Sequence, residues 1–483
     1  MSSIHEAAFQ SQPEEHAFVA KGVAPGALRG TFLRTGPGLL RVGADDLNFF
    51  DGHALICGLS FDDGRCTFRS RFVRTPVYEE ETRSGRMTKR RLVTNLPSRW
   101  SNLFALDLGN TAMHDVYAWG GKIVAGADPG HFALDPKTLA TIGPERWSGA
   151  VSKGWETSPM PYADPRSGHL VGWLKKQGGL RPDALKMVEL DDRFRVVTES
   201  TLHSLGASPA FIHDHRATER WYVLMELPAR LSVARALWGA QPIFEAFSWP
   251  AGKTADLVFL PRGREGGPVR VPMPGVVIAF HVLNAFDDGA HTIVDAVTYD
   301  GVIRFTAAAA RSHRERLGVA VRSGPRPVPR RYVVDVANGR IVSQRDLGDL
   351  PLEAPEVADA SMGKPYRFAY GSSRPSATCP DAGAYFLYSG IVKVDVESGA
   401  TTSWFAGEQA LASPPSFVPR PGGADEDDGW LLTWVLEPEG GGASVVVLDA
   451  KDPSRDPVAR IELGVHLPAV SHVRFAPDVQ LTA

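Results

Sequence analysis

Three histidines stand beside predicted β-strands, far apart along the chain. His213 lies shortly before an apolar run at residues 221–225. His281 directly follows a similar run at residues 276–280, and His472 lies near the C-terminus. Neutral imidazole is a common metal ligand, and ligands beside separate strands differ from the HExxH pair that one helix presents. Each histidine alone is more often a hydrogen-bonded core residue than a ligand, so the fold must bring them together.

Short β-branched and aromatic runs that end in turn residues occur throughout the sequence. They include residues 122–125, 170–173, 292–297, 332–336 and 444–448. The 483 residues include 48 Gly and 37 Pro, spread along the chain, which favours many short elements over a few long helices. This pattern predicts antiparallel meanders, and at this length a single β-propeller domain over residues 1–483 is the economical architecture. Inner strands of a propeller end near one axis, where distant histidines could meet.

The composition excludes several classes of function. Lys and Arg total 52 against 55 Asp and Glu, and this net charge of -3 argues against nucleic acid as the main partner. No apolar run approaches the length of a membrane-spanning helix, and residues 1–16 lack the apolar core of a secretory signal. The 3 cysteines are too few for a disulfide framework. We therefore expect a cytoplasmic protein, and no feature indicates an obligate protein partner.

Two N-terminal motifs are similar to those of a known family. Residues 30–38 (GTFLRTGPG) and 50–56 (FDGHALI) resemble the opening motifs of the carotenoid cleavage oxygenases, also called the retinal pigment epithelium membrane protein family. Further matches follow in order, and they include residues 134–139 (LDPKTL), 164–168 (DPRSG), 280–281 (FH), 366–368 (YRF) and 426–430 (EDDGW). Because the matches cover nearly the whole chain, the sequence is identified as a divergent member of that family.

The resemblance implies an all-β, seven-bladed propeller with a helical cap over an axial metal site. In the family, four histidines hold a non-haem Fe(II), which uses O2 to split an alkene into two carbonyl products. His213, His281 and His472 match three of these ligands, and they would be the catalytic metal site. Glu353 and Glu426 match glutamates that accept hydrogen bonds from ligand imidazoles. A carboxylate in that position fixes the tautomer and aims the ligand nitrogen at the metal.

The chain departs from the family pattern at one ligand and one supporting acid. The first family ligand precedes Pro-x-x-Asp-Pro, and that position is Met160 here, in residues 160–165 (MPYADP). A thioether suits Cu(I) better than Fe(II), so we expect Met160 to occupy a vacant ligand position and to leave room for O2 or substrate. A family glutamate falls at Ala127, with Asp128 beside it.

These departures leave several interpretations open. Three histidines could hold iron at a site with open positions, as in other three-ligand iron centres. His215 is a candidate extra ligand, because residues i and i+2 of a strand face the same way; the alternative is a histidine packed or solvated beside the site. An altered site could also catalyse epoxidation, hydroxylation or isomerisation. A metal-free propeller that binds a lipophile is the competing class.

The family also implies cap segments at approximately residues 227–250 and 304–318. The apolar side chains of the first segment include Leu231, Leu237, Trp238, Phe244 and Phe247. We expect them to line a channel for an unsaturated lipophile such as an apocarotenoid or polyene, and both peripheral membrane contact and a closed cap fit the pattern. The lignostilbene-cleaving branch activates a phenol with a lysine, and residues 104–109 contain none, which favours a polyene over a hydroxystilbene.

Overall fold

Seven antiparallel sheets of four to six strands make up most of the described chain. The structure is a computed structural model that describes residues 3–179, 181–206, 210–248, 250, 252–275, 277–301, 326–373, 387–437 and 442–483. The sheets follow one another along the chain, and each is one blade of a seven-bladed β-propeller, which confirms the predicted fold. The predicted cap segment at residues 304–318 lies outside the described residues.

The blades are numbered I to VII in the order of their first strands. Blade I contains Ala17–Val19, Gly30–Leu39, His53–Asp62, Arg65–Phe72 and His472–Ala476. Blade II contains Asp115–Trp119, Lys122–Gly126, His131–Leu134 and Thr141–Glu145. Blade III contains Trp155–Thr157, Tyr162–Asp164, His169–Lys176, Ala184–Leu190, Val196–Glu199 and His203–Ser204. Blade IV contains Phe211–Ala217, Trp221–Leu227, Asp256–Pro261 and Val269–Pro272.

The remaining blades are built in the same way. Blade V contains Val277–Asp288, His291–Asp300, Pro327–Asp335 and Arg340–Asp346. Blade VI contains Glu353–Glu356, Phe368–Ser373, Gly390–Asp395 and Thr401–Phe405. Blade VII contains Leu411–Ala412, Ser416–Pro419, Gly429–Glu437, Gly442–Asp449 and Ala459–Glu462. Two further ribbons pair Arg41–Val42 with Asp45–Asp46 and Arg230–Leu231 with Phe247–Ser248.

The helices are short and lie between strands or before the first of them. The α-helices are Ser3–Ala8, Pro76–Ser84, Arg99–Asn102 and Val233–Trp238, and the 3-10 helices are Phe49–Asp51, Trp147–Gly149, Ile243–Ala246 and Asp359–Ser361. In the described part of the chain, no helix combines the length and the apolar character needed to cross a bilayer.

The middle strands are apolar on both faces because each blade is covered by its two neighbours. Trp221–Leu227 and Gly429–Glu437 are buried along almost their whole length. An acidic turn joins two strands of blade I: Asp63 and Gly64 have φ values of 47° and 80° between the paired strands. Two consecutive positive φ values fit the right-handed twist of a hairpin, and Gly adopts them without steric cost.

The C-terminal strand closes the ring. His472–Ala476 pairs with Gly30–Leu39, so the end of the chain completes the sheet that its N-terminal part begins. The innermost strand of each blade, called its inner strand below, contacts the inner strand of a neighbouring blade. Among these contacts, His472–Ala476 touches Asp115–Trp119, and Phe211–Ala217 touches Val277–Asp288. Closure therefore brings strands from both ends of the sequence to one axis.

The predicted cap at residues 227–250 is an excursion of blade IV. Val233–Trp238 is a single helix of 6 residues, which starts at the Ser232 N-cap and stops at Gly239 in the left-handed conformation. The expected helical segment is therefore present but short, because Gly239 and the following Pro242 end it. Ile243–Ala246 then returns the chain to the blade.

Arg90 fastens this cap to the loops of blade I. Its buried guanidinium donates hydrogen bonds to the carbonyl oxygens of Ala236 at 2.7 Å and Gln241 at 2.8 Å. The Nε of Arg90 donates to Asn95 at 2.9 Å. A charged donor that satisfies buried carbonyls is worth more than an ordinary hydrogen bond, so Arg90 sets the stability of the cap.

We expect Arg90→Met to increase amide hydrogen exchange in residues 230–248 roughly ten- to hundredfold, because two buried carbonyls lose a charged donor. Hydrogen–deuterium exchange with mass spectrometry measures this locally. Arg230→Met, which changes an exposed arginine of the same segment, is the control and should leave exchange unchanged. Equal exchange in Arg90→Met and the parent protein would show that other contacts hold the cap.

Candidate metal centre

Four imidazoles surround the propeller axis at the beginnings or bulges of inner strands. They are His114, His213, His281 and His472, called the histidine cluster below. Ring centroids are 5.2 Å apart for His114 and His213, and 4.9 Å apart for His213 and His281. They are 6.0 Å apart for His281 and His472, and 5.4 Å apart for His472 and His114. The structure thus brings together the three predicted histidines and one that the sequence motifs did not mark.

The spacing of the rings suits a common ion. With metal–nitrogen bonds of about 2.1 Å, the centroids of two imidazoles on one ion lie roughly 4.5–6 Å apart. Within the described ranges, no group of three or more His, Cys, Asp or Glu side chains is already closed around an ion-sized point. A bound ion would therefore have to draw these side chains closer together.

A β-bulge turns His213 towards the axis. Ile212 pairs with Glu226 and His215 pairs with Leu224. The inner strand of blade IV therefore advances by three residues where its neighbour advances by two. The extra residue breaks the alternation of side chains between the faces of the sheet. His213 and His215 therefore do not share a face, although they are two residues apart.

A second bulge re-aims His281 in blade V. Ala279 pairs with Thr298 and Val282 pairs with Ala296, which again leaves one extra residue on the inner strand. Bulges of this kind are common next to functional sites, where they direct a side chain. The directions of the His213 and His281 side chains thus both depend on a β-bulge.

Asp214 joins these two bulges. One carboxylate oxygen of this fully buried residue accepts the amide of Val282 at 2.9 Å, across the boundary between the blades. The other oxygen accepts the amide of His215 and the guanidinium of Arg216, both at 2.7 Å. Burial alone would raise the pKa of Asp214, but Arg216 and the adjoining imidazoles hold that pKa below its ordinary value. The ionised carboxylate fixes the relative position of His213 and His281.

Glu353 holds the ring of His281. The Nδ1 of His281 donates to Glu353 at 2.5 Å, and the hydroxyl of Tyr299 donates to the other carboxylate oxygen. Burial alone would raise the pKa of Glu353, but His281 and the hydrogen bonds keep that pKa below its ordinary value. The predicted contact between Glu353 and a clustered imidazole is present.

His472 is held by backbone instead of by a carboxylate. Its Nδ1 donates to the carbonyl oxygen of His114 at 2.6 Å, and the Ser471 hydroxyl donates to the same oxygen at 3.1 Å. Thr35 pairs with His472 at the start of the last strand. The main chain of one clustered histidine therefore positions the ring of another.

Two of the clustered imidazoles, His213 and His472, favour the uncharged form. Burial, together with His281 and His114, lowers the pKa of His213 well below its ordinary value. Burial and the neighbouring rings do the same to His472. Burial alone would lower the pKa of His281 as well, but Glu353 and Asp214 raise that pKa above its ordinary value. The Nε2 of His281 is buried and has no hydrogen-bond partner among the described residues. Neutral imidazoles with unsatisfied nitrogens are what a metal ion requires.

Two predicted site residues lie elsewhere. His215 is buried, but its Nε2 donates to the carbonyl of Val171 at 3.1 Å and its ring packs on Tyr162, so the expected shared face is wrong. Glu426 accepts the backbone amides of Arg367 and Phe368 at 3.0 and 2.9 Å, and it does not support His472. The bulge at residues 212–215 explains why His215 does not face the cluster. The ring of His472 is held by a backbone carbonyl, so it does not depend on a glutamate.

Met160 is buried between Trp155–Thr157 and Tyr162–Asp164 of blade III, and its place at a ligand position stays a prediction. His114 was missed because no family motif marks it. The signal was nevertheless present, since His114 directly precedes the inner strand Asp115–Trp119, much as His213 precedes a predicted strand.

Aromatic rings connect the cap to the histidine cluster. Phe211 contacts Phe244 and Phe247 of the cap at centroid distances of 6.5 and 6.2 Å. Phe211 also contacts Phe280 at 6.4 Å, and Phe280 lies 5.7 Å from His213. These rings form a continuous apolar path. Two predicted channel residues, Phe244 and Phe247, belong to it.

The other predicted channel residues differ in exposure. Leu231 and Leu237 are half-buried, and their role in a channel stays a prediction. Trp238 faces outwards: it is 59% exposed, and the guanidinium of Arg99 lies 5.0 Å from its ring. Trp238 belongs to the outer surface of the cap instead of to the path.

Comparisons with known proteins agree with this architecture. The model of the retinal pigment epithelial membrane protein family matches residues 7–477. An apocarotenoid-15,15'-oxygenase of a Synechocystis species is 31% identical over 97% of this chain and 95% of that protein. An isoeugenol monooxygenase of Pseudomonas putida is 28% identical over 94% of this chain and 92% of that protein. A cobalt-substituted Synechocystis apocarotenoid oxygenase superposes with a TM-score of 0.89, at 29% identity and 98% coverage of both chains.

We expect Glu353→Gln to weaken Co²⁺ binding about ten- to hundredfold, the usual cost of losing a carboxylate that orients a ligand imidazole. Competition with a chromophoric chelator gives the affinity.

Glu426→Gln is the matched control, and we expect it to leave Co²⁺ affinity unchanged because Glu426 contacts backbone amides of blade VI. A loss in Glu426→Gln that equals the loss in Glu353→Gln would contradict this placement.

Proposed function

The chain belongs to the retinal pigment epithelial membrane protein family, the carotenoid cleavage oxygenases, and from this premise we propose that it is a non-haem Fe(II) dioxygenase. It splits a C=C bond of an unsaturated lipophile into two carbonyl products. The observation that carries the proposal is the convergence of His213, His281 and His472 on the axis, with a buried and unpartnered Nε2 on His281.

Iron fits the donor set of this site. Neutral imidazole suits Fe(II), and a set of histidines that leaves coordination positions open is compatible with O2 chemistry. When bound, Fe(II) supplies the electronic coupling that lets O2 react with an electron-rich alkene and break its C=C bond. The chain itself orients His281 through Glu353 and locks the spacing of His213 and His281 through Asp214.

Aromatic side chains beside the histidine cluster exclude water and select an apolar substrate. Phe280 packs against both His213 and Tyr299, and this places aromatic carbon directly beside the proposed reaction centre. The path from Phe247 through Phe211 to Phe280 supports an extended hydrocarbon that passes from the cap to the axis. Apolar walls give no hydrogen-bonding partner to water, so they keep the centre dry while the substrate is bound.

The substrate class that this path favours is an apocarotenoid or a related polyene. The relatives include an apocarotenoid oxygenase and an isoeugenol monooxygenase, so both polyenes and phenols are represented among them. Lys175 is a deeply buried cation on blade III, but its ammonium already pairs with Glu156 at 2.8 Å and donates to the carbonyl of Ala210 at 3.0 Å. A lysine engaged in this way supports the expectation that this chain does not activate a phenol.

A surface around the cap supports contact with a lipid bilayer. Its exposed apolar side chains are Trp100, Phe104, Leu106, Val233 and Trp238. They form one region because Phe104 donates its amide to Leu237 at 2.9 Å and Arg99 covers Trp238. Aromatic side chains beside arginine are typical of interfacial membrane binding, which would let a lipophilic substrate enter the path without crossing water.

The proposed reaction is tested with iron-loaded protein, an apocarotenoid aldehyde and ¹⁸O2. We expect about one iron per chain. The alkene and O2 yield two carbonyl products, each with one atom of ¹⁸O, because one alkene and one O2 balance two aldehydes. His281→Ala should lose both iron and product. His291→Ala, at the hairpin between the first two strands of blade V and ten residues from His281, should lose neither.

Three results would contradict the proposal. Protein that binds the apocarotenoid but retains no iron would favour the metal-free binding propeller. Iron-loaded protein that forms an epoxide or a geometric isomer would favour non-cleaving chemistry. Product from isoeugenol, but from no polyene, would overturn the proposed substrate class.

The membrane surface is tested by sedimentation with liposomes. We expect the triple variant Trp100→Ser, Phe104→Ser, Trp238→Ser to bind at least roughly tenfold more weakly, because three apolar side chains no longer enter the interface. A control variant carries Ile142→Ser, Val342→Ser and Val458→Ser, which are exposed apolar residues of other blades. Equal binding by both variants would show that the cap surface is not the contact.

A further inference from the structure

His114 occupies a full corner of the histidine cluster. Its ring is stacked on His472 at an interplanar angle of 13°, and it lies within 5.2 Å of His213. With His114 included, the four rings form a closed circuit in which every neighbouring pair of centroids is separated by 4.9–6.0 Å. Without it, one side of the axis lacks an imidazole between His472 and His213. The distances from the ring of His114 to its two neighbouring rings are therefore similar to the distances between the other rings of the cluster.

Asp128 stands behind His114 in the way that Glu353 stands behind His281. The Nδ1 of His114 lies 3.5 Å from a carboxylate oxygen of Asp128. With Nδ1 turned to this carboxylate, the opposite ring nitrogen, Nε2, is left to face the cluster. The same pattern recurs at His281 and His472, whose Nδ1 atoms are held by oxygen at 2.5 and 2.6 Å. A partner on the far nitrogen is what orients a metal-bound imidazole.

The space beside His114 is accessible although it lies inside the ring of blades. The side chain of His114 is 23% exposed and that of Asp128 is 44% exposed. Asp128 follows Gly126, whose carbonyl accepts the amide of His114 at 3.1 Å, so backbone contact between two strands of blade II sets the pair. Local structure within one blade therefore supplies both the imidazole and its carboxylate.

We infer that His114 supplies the fourth imidazole of the metal site, that Met160 is not a ligand, and that Asp128 is the positioning residue of His114. This inference rests on the proposed metal-dependent function. It implies that one ligand has moved from blade III to blade II together with its supporting acid. Ala127 marks the place of an absent glutamate, and the adjacent Asp128 supports the relocated histidine, His114. Met160 then makes no bond to the metal.

The test compares metal-free protein and its variants during titration with Co²⁺, followed by X-ray absorption of the loaded samples. The parent protein should show four imidazole nitrogens at about 2.1 Å. His114→Ala should show three and should bind Co²⁺ at least about a hundredfold more weakly, beyond the ten- to hundredfold that loss of an outer partner costs. Met160→Leu should keep both the affinity and the four nitrogens.

Asp128→Asn separates positioning from ligation. It should bind Co²⁺ about ten- to hundredfold more weakly while the absorption spectrum still shows four imidazoles, because the ring of His114 remains. The carbonyl of His114 that holds His472 is unchanged in His114→Ala, so the loss cannot come from that contact. Circular dichroism and the thermal midpoint verify folding, and His114→Gln replaces His114→Ala if the alanine variant does not fold.

The outcomes are distinct. Three imidazoles in the parent protein, or an unchanged spectrum in His114→Ala, would overturn the inference while leaving the iron-dependent function intact. A loss of affinity in Met160→Leu, with none in His114→Ala, would restore Met160 as the fourth ligand. A parent protein that binds neither Co²⁺ nor iron would refute the proposed function, and the inference would fall with it.

Discussion

Ring closure is the constraint on which the site depends. Seven sheets arranged around one axis bring the beginnings of their inner strands within a few ångströms, and the pairing of His472–Ala476 with Gly30–Leu39 completes that arrangement. Residues as distant as His114 and His472 stack there at 5.4 Å. A buried polar atom without a partner costs about 1–3 kcal/mol, so a fold that collects imidazoles at its centre leaves free energy that a bound cation can recover. The topology of the propeller thus brings together the residues of the proposed metal site.

Backbone irregularity then gives two of the rings, those of His213 and His281, their direction. Regular alternation would send His213 and His215 to one face, but the bulge between Ile212 and His215 sends only His213 to the axis. Asp214 lies within this bulge and bonds to the amide of Val282, beside the bulge that contains His281. His213 and His281 therefore each depend on a neighbouring blade for their position. Rigidity of this kind suits a site in which ligands must be oriented before the ion arrives.

Much of this architecture could be predicted from the sequence, and the failures have specific causes. The strand and turn patterns indicated a propeller, and the family resemblance supplied the number of blades and three clustered histidines. Glu353 contacts a clustered imidazole, His281, in the way that the resemblance implied, whereas Glu426 bonds to backbone amides instead of to a clustered imidazole. Strand register and bulges depend on tertiary packing, so the directions of His215 and His114 were not readable. A motif search follows the family's positions, and it cannot detect a histidine such as His114 that lies at another position of the chain.

The most direct test is anomalous diffraction at the iron edge from crystals of the iron-loaded protein. The account predicts one strong peak on the axis, with nitrogens of His213, His281, His472 and His114 at about 2.1 Å and no protein sulfur in the coordination sphere. A peak bound by fewer than three of these imidazoles, a peak elsewhere in the propeller, or no peak after loading would contradict it.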